Sequence, residues 1–542
     1  MSRRRKMPTK AELIQLQKLY RTDERIAERL GDVPTYLVAY WRRKKNVSKH
    51  SQPKFSENEI RNLWERFGDD DYCGLELGIS KAAFYNWRRR YGIREKPAFL
   101  KLEQLELNLP GIDRRNHVVP LYGKQTTVQK IIARAASLNK AEAGNLVVVE
   151  PDMIVVNKNI ASVIRTFKDI GVEYVWNPSK ITISLDGEVG DAGENPTDYK
   201  MVREFSQHQS IENFFDIHHG ACNQLAIENG HILPGQLVLG TDRCAVSLGA
   251  LGAFAVSIDA TEMATVLASG RLWLKVPSSV RIDISGRRPR GVYTKDIALA
   301  VIKQLGTTNI GYRTIEYHGR LVANMSISER MTLCYLSEEI GAKAAMCSFE
   351  AVTRRYLTGR TNTNYIPVIA DKDADFDEMY QFNIDRFTPQ IAGPNEINTN
   401  TIKSVKELES LSVHQVILGT CSNGRFDDLR IAAGILKGKK VNPQCRLIIM
   451  PSSHQVYLEA LKKGLIRILA KAGAMIVSST NKSIVGELQK LLSPGERCLI
   501  TSGSAIVNQE QKDVNEIYFC SPATAAASAL NGHITDPEPY LR

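Results

Sequence analysis

The chain has 542 residues, 43% of them apolar, and a formal charge of +12 at pH 7. That length exceeds one ordinary core and predicts about three or four domains. With no run of about 20 apolar residues and no apolar stretch at the N-terminus, the chain reads as a cytoplasmic protein without membrane span or signal peptide. Nine cysteines, odd in number, scattered and without a C-x-x-C pair, exclude a disulfide framework and a zinc ribbon or finger.

The charge sits at one end. Residues 1–100 hold 23 Lys and Arg against 13 Asp and Glu, so ten of the twelve surplus charges fall there. Two segments in this region resemble each other, "AELIQLQKLYRTDERIAERLGDVPTYLVAYWRRKKNV" and "ENEIRNLWERFGDDDYCGLELGISKAAFYNWRRRYGI". Each predicts a helix with apolar residues at helical spacing, a short helix ending in Leu-Gly, a tight turn and a third helix. Pro34 and Ser80 are start signals for the third helices. This is the order of a helix-turn-helix module, and the segments resemble the small helix-turn-helix repeats of transposase-like and regulatory proteins. Trp41 and Trp87 are expected to anchor the third helices to their small cores. Duplex DNA is the expected partner, with base contacts sought at Thr35, Tyr36, Lys81, Ala82 and Tyr85. Tyr40, Arg42, Arg43, Lys44, Lys45, Ser80, Arg88, Arg89 and Arg90 complete the expected DNA surface, the cations reaching phosphates. The alternative is a pair of helical bundles with solvated basic ends, or a protein-docking module. The boundaries read as module 1 over 1–50, module 2 over 51–96 and a proline-bearing linker over 97–121.

From about Tyr122 the pattern changes. Apolar β-runs ("NLVVVE", "KITISLD", "QLVLG", "HQVILGT", "CRLIIMP") alternate with helical stretches ("TTVQKIIARAAS", "YKMVREFSQ", "TKDIALAVIKQLG", "SVKELESL"), which predicts an α/β body with mostly parallel sheets.

The stretches "FFDIHHGACNQLAIENGHILPGQLVLGTDRCAVSLGALGAFAVSIDATEMATVLASGRLWLKVPSSVRI", "GVYTKDIALAVIKQLG", "SISERMTLCYLSEEIGAKAAM", "GTCSNGRFDDLRIAAGILKGKKV" and "SPATAAASALNGHITDP" strongly resemble the large subunit of 3-isopropylmalate dehydratase and the wider aconitase superfamily. The resemblance runs in unbroken order from Tyr122 to Arg542. It implies a three-subdomain body, with subdomains 1 and 2 over 122–400 and subdomain 3 over 401–542, after the all-α repeat.

The family reaction implied is dehydration and rehydration of a hydroxy acid on a [4Fe-4S] cluster held by three thiolates, its fourth iron acting as Lewis acid. Carried over residue by residue, the first ligand is Cys421, while Asn481 and Ile484 stand at the second and third. The D-S-H run after G-T reads Asp242, Arg243, Cys244. Asn223 replaces a histidine, Asp186 keeps the acid of an Asp-His pair whose histidine is Gly187, and Ser504 and Gln509 replace two substrate-binding arginines. The resemblance also implies a swivelling domain, either fused or as a small subunit, and no fused one is expected after "HITDPEPYLR".

These substitutions lead to the expectation of a DNA-binding transcriptional regulator whose body is a catalytically inactive relative of the dehydratases, without catalytic residues, metal or cofactor. The body would serve as scaffold, homo-oligomerisation platform or sensor of a small carboxylate effector, on nucleoid DNA. Its effector pocket would be lined by Asp186, Asn223, Asp242, Arg243, Cys244, Cys421 and Arg425. For Arg243 the alternative is a structural ion pair with Asp242 or Asp186. Two other readings stand beside this one: a hydro-lyase of the 3-isopropylmalate dehydratase type, and an architectural protein that coats or bends DNA.

Overall fold

The computed structural model describes residues 7–20, 22–31, 33–47, 55–67, 70, 73–74, 77, 79–93, 124–186, 195–217, 219–306, 310–420, 422–477, 485, 488–503 and 515–541. The chain divides into two compact units, Met1–Pro110 and Gly111–Arg542.

The N-terminal unit is all-α. Helices Lys10–Tyr20, Asp23–Arg29 and Thr35–Lys44 close over Leu13, Ile26, Val38, Trp41 and Val47. Helices Glu57–Phe67 and Lys81–Arg90 close over Ile60, Trp64, Cys73, Phe84 and Ile93. The caps follow local chemistry: the Thr22 hydroxyl accepts from Arg25 N, and the Ser80 hydroxyl accepts from Ala83 N. Trp41 is buried, whereas Trp87 is half-buried, between an edge contact with Phe55 and a stack on Tyr91.

In the second unit the apolar runs become strands. They are β1 (Leu146–Val149), β2 (Met153–Val156), β3 (Ile181–Ser184), β4 (Asn213–Phe215), β5 (Leu237–Gly240), β6 (Phe254–Ser257) and β7 (Leu272–Lys275). Then come β8 (Ser279–Ser285), β9 (Thr314–His318), β10 (Ala344–Cys347), β11 (Glu378–Asn383), β12 (Gln390–Ala392) and β13 (Ile402–Ser404). The last are β14 (Gln415–Gly419), β15 (Arg446–Met450), β16 (Met475–Ile476), β17 (Arg497–Ile500) and β18 (Glu516–Cys520).

Three layered sheets and a ribbon result. A five-stranded parallel sheet has the order β4-β3-β2-β5-β6, and a four-stranded parallel sheet the order β10-β9-β8-β11. A seven-stranded sheet, β13-β12-β18-β17-β14-β15-β16, is parallel from β18 to β16 and antiparallel around β12. β1 and β7 form an antiparallel ribbon. Strands such as β2, β3, β5 and β14 are buried at every residue, as parallel strands covered by helices on both faces must be. The four- and seven-stranded sheets share one core, in which Val280, Ile282, Ile284 and Ile315 join Ile417, Ile448, Ile500 and Phe519. The five-stranded sheet has its own, around Ile154, Ile164, Ile183, Leu239 and Phe254. The stretch "SVKELESL", expected as a helix, forms only the 3-10 turn Val405–Leu408, with Val405 its one buried residue. No helix among the described residues is long and apolar enough to cross a membrane.

Candidate functional site

Two groups of side chains collect where strands of the five- and seven-stranded sheets end. Asp186 lies two residues past β3, and its Oδ2 accepts from the backbone N–H of Cys222 at 2.7 Å, at the head of helix Cys222–Glu228. In the same helix Asn223 is 2% exposed and donates from Nδ2 to Ser247 Oγ at 2.8 Å. Asp242, 4% exposed and just past β5, caps the 3-10 segment Arg243–Leu251 by accepting from Cys244 N at 3.4 Å, and Asn157 Nδ2 donates to its other oxygen at 3.4 Å. Arg243 pairs neither with Asp242 nor with Asp186: its Nε donates to Glu338 Oε1 at 2.6 Å. Burial raises the Glu338 carboxyl above its ordinary value, while Arg243 pulls the other way.

The second group is the turn after β14. Gly419 is at φ +141°, where a Cβ would stand 1.9 Å from the Met450 carbonyl oxygen, so only glycine lets the two backbones approach this closely. Thr420 follows at φ +79°, a strained position for a β-branched residue. Asp428 Oδ2 accepts from the backbone N–H groups of Gly424 and Arg425 at 2.8 and 3.1 Å, which closes the turn onto helix Phe426–Leu436. Arg425 turns inward. Only 3% exposed, it donates from Nη1 to Ser422 O at 2.6 Å and Thr332 Oγ1 at 3.2 Å, which makes it a brace of the turn. Cys421, Gly187, Asn481, Ile484, Ser504 and Gln509 lie outside the described residues.

One helix and its continuation join the two groups; their stretch, "SISERMTLCYLSEEIGAKAAM", carries the family resemblance but no expected site residue. Along Ile327–Leu336 and the 3-10 turn Ser337–Ile340, Thr332 contacts the 422–425 turn and Glu338 holds Arg243. Tyr335 and Glu339 pack on Gly503, where a Cβ would meet them at 2.7 and 2.8 Å. Within that stretch the acidic pair in "YLSEEIG" closes an otherwise apolar run. A cavity of about 1000 Å³ opens beside this bridge, lined by Arg288, Tyr293, Glu329, Thr332, Asn423 and Arg430.

Among the described residues no group of three or more His, Cys, Asp or Glu converges as metal ligands would. The described cysteines are buried, and burial pushes the thiols of Cys445 and Cys520 up to about 12, well away from the thiolate a cluster needs. None of these cysteines stands at position 421, 481 or 484, where the resemblance places the cluster ligands, and those three positions lie outside the described residues.

In the N-terminal unit Thr35, Tyr36, Tyr40, Arg43, Lys44 and Lys45 are exposed, as are Ser80, Lys81, Ala82, Tyr85, Arg89 and Arg90. Arg42 and Arg88 are not. Arg42 Nε and Nη2 each reach Asp23 at 3.2 Å, and Nη1 donates to Val47 O at 3.2 Å. Arg88 repeats this with Asp70 at 2.8 Å and Ile93 O at 2.9 Å, its guanidinium 3.8 Å over the Trp64 ring. The first arginine of each W-R-R motif thus latches its module's last helix to its own core.

The family model of the aconitase family (aconitate hydratase) matches residues 127–532. The 3-isopropylmalate dehydratase large subunit 1 of Methanopyrus kandleri is 40% identical over 419 residues, 77% of this chain and 100% of that one. The corresponding large subunit 1 of Archaeoglobus fulgidus is 36% identical over 76% of this chain and 99% of its own. A Methanosarcina mazei chain named "Probable methanogen homoaconitase large subunit" is 40% identical over 69% of this chain and 95% of its own.

These matches overturn the expectation of a DNA-binding regulator with a catalytically inactive, cofactor-free body, in either its regulatory or its architectural form. They also overturn duplex DNA, a carboxylate effector and a second copy of the chain as the expected partners. The similar chains carry the names of hydro-lyases and of large subunits, over nearly the whole body. Physically, a few exchanged motif residues do not establish that the body is inactive. A basic helix does not establish a DNA site either, least of all when one arginine of each motif is spent inside its own module. Matched by the family model from residue 127 to residue 532, and over 77% of its length by a named large subunit at 40% identity, the chain belongs to the aconitase family.

Proposed function

We propose that the chain is the large subunit of a hydro-lyase that reversibly removes water from a hydroxy-carboxylic acid of the isopropylmalate or homoaconitate class, working with a separate small subunit. The observation that carries this reading is 40% identity over the full length of a 3-isopropylmalate dehydratase large subunit.

Dehydration takes a proton from the carbon next to a carboxylate and expels hydroxide from the neighbouring carbon as water, so the site must anchor a carboxylate and move one proton each way. Arg243 is the anchor this reading assigns: half-exposed, and oriented by Glu338. Glu338, its carboxyl raised by burial, is the assigned proton carrier, because a carboxylate brought closer to neutrality exchanges protons more readily at working pH. Asp242 and Asn157 hold the backbone from which Arg243 projects.

The test combines the chain, after anaerobic iron and sulfide reconstitution, with a dehydratase small subunit from the same organism. Formation of the conjugated C=C–carboxylate is followed in the ultraviolet with 2- and 3-isopropylmalate and with homocitrate. Turnover with one of these acids is expected; absence of turnover with all of them overturns the reading.

A further inference from the structure

The turns after β14 and β17 meet through hydroxyls. Thr420 Oγ1 and Ser422 Oγ lie 3.0 and 3.2 Å from Ser502 Oγ, and Gly419 N donates to Thr501 Oγ1 at 3.0 Å. Position 421, the family's first thiolate ligand by resemblance, falls inside the first turn in sequence. Gly503, at the end of the second, packs on Tyr335 and Glu339 of the bridging helix.

A buried lysine from outside the seven-stranded sheet also grips the second turn. Lys295, 1% exposed in the first turn of helix Thr294–Leu305, donates from Nζ to Thr501 O at 2.6 Å and to Ser502 O at 2.5 Å. Both residues are fully buried, so without the ammonium these two consecutive carbonyls would lose this donor where water does not replace it. Burying an ammonium is costly, and a methionine would fill similar space without that cost. What the ammonium adds is direction: one point that fixes two carbonyls at once.

We propose that Lys295 is a positioning residue of the hydro-lyase site, acting by holding the 501–503 turn against the 419–424 turn; this rests on the hydro-lyase reading above. Lys295 touches neither of the residues assigned to substrate, Arg243 and Glu338. Its influence passes through Ser502 to Thr420 and Ser422, and through Gly503 to Tyr335 and Glu339.

The test uses the full chain with its small subunit and the variants Lys295→Met, which keeps length without a donor, and Lys295→Gln, which keeps two N–H donors. Amide hydrogen exchange is read over 415–424 and 497–503, and kcat and KM are measured separately. In Lys295→Met, exchange in both segments rises about tenfold or more, kcat falls at least about tenfold and KM stays within about twofold, with partial restoration of both in Lys295→Gln. Unchanged exchange in the two segments, an equal rise across the whole body, or unaltered kcat overturns the proposal. If Lys295→Met does not fold, Ser502→Ala must loosen the 419–424 segment by itself, or the proposed connection is wrong. Should the native chain show no turnover at all, the hydro-lyase reading fails, while the exchange data still decide whether Lys295 couples the two turns.

Discussion

Lys295 also offers the sharpest thermodynamic prediction. Burial lowers its pKa from 10.5 to about 8, which at about 1.4 kcal/mol per tenfold change amounts to about 3 kcal/mol between the two protonation states. A lysine whose folded pKa is depressed binds fewer protons folded than unfolded between about pH 8 and 10.5, so through that window its contribution to stability rises with pH. Its neighbour Asp296, raised by burial to about 7, works in the opposite sense and in a lower window, losing stability as pH climbs from 3.8 to about 7. Buried thiols with raised pKa values, such as Cys445 and Cys520, oppose the lysine at alkaline pH. The measurement is therefore a difference: chemical denaturation of the native chain and of Lys295→Met at pH 7.5, 9 and 10.5. Stability of the native chain relative to the variant should rise by about 3 kcal/mol across the series. A flat or falling difference would show that Lys295 does not titrate at a depressed pKa, and the burial argument would be refuted.

Gly419→Ala places a Cβ 1.9 Å from the Met450 carbonyl and should destabilise the body by more than about 3 kcal/mol. Gly434→Ala, in mid-helix with nothing within 4 Å, should stabilise it by about 0.5–1 kcal/mol; thermal denaturation of the pair checks both signs. Arg42→Ala leaves Asp23, whose side chain is 8% exposed, without its cation and should cost the N-terminal unit about 3 kcal/mol, while exposed Arg43→Ala should cost within about 0.5; hydrogen exchange of residues 10–44 separates them. Arg243→Ala should raise KM about tenfold or more with a smaller change in kcat, and Glu338→Gln should lower kcat and remove the acid limb of the pH profile. An unchanged profile in Glu338→Gln would reject that residue as the proton carrier.

Much of the fold was legible because parallel strands buried on both faces are continuous apolar runs. "QLVLG", "HQVILGT" and "CRLIIMP" became β5, β14 and β15. The bridging helix was harder to read. Its apolar and polar residues are buried alike, Arg330 and Thr332 included, so no amphipathic stripe marks which face meets the site. Glu338 and Arg243 lie 95 residues apart in sequence, and no local pattern announces that they pair. The motif W-R-R misled for a related reason: two arginines side by side read as one basic patch, yet helical geometry turns the first toward Asp23 or Asp70 and leaves the second in solvent.

By itself the sequence determined the α/β body, the helical N-terminal region, the family and the chain order of its motifs, because periodicity and motif spacing are local properties of a chain. Only the tertiary structure decided which partners the charges inside the protein take. Arg425 went to brace a turn, Arg243 to Glu338, and Lys295 to two carbonyls more than 200 residues away. A charge entering a folded interior must find a partner, and that partner is fixed by the packing of distant strands and helices, which no local window of sequence contains.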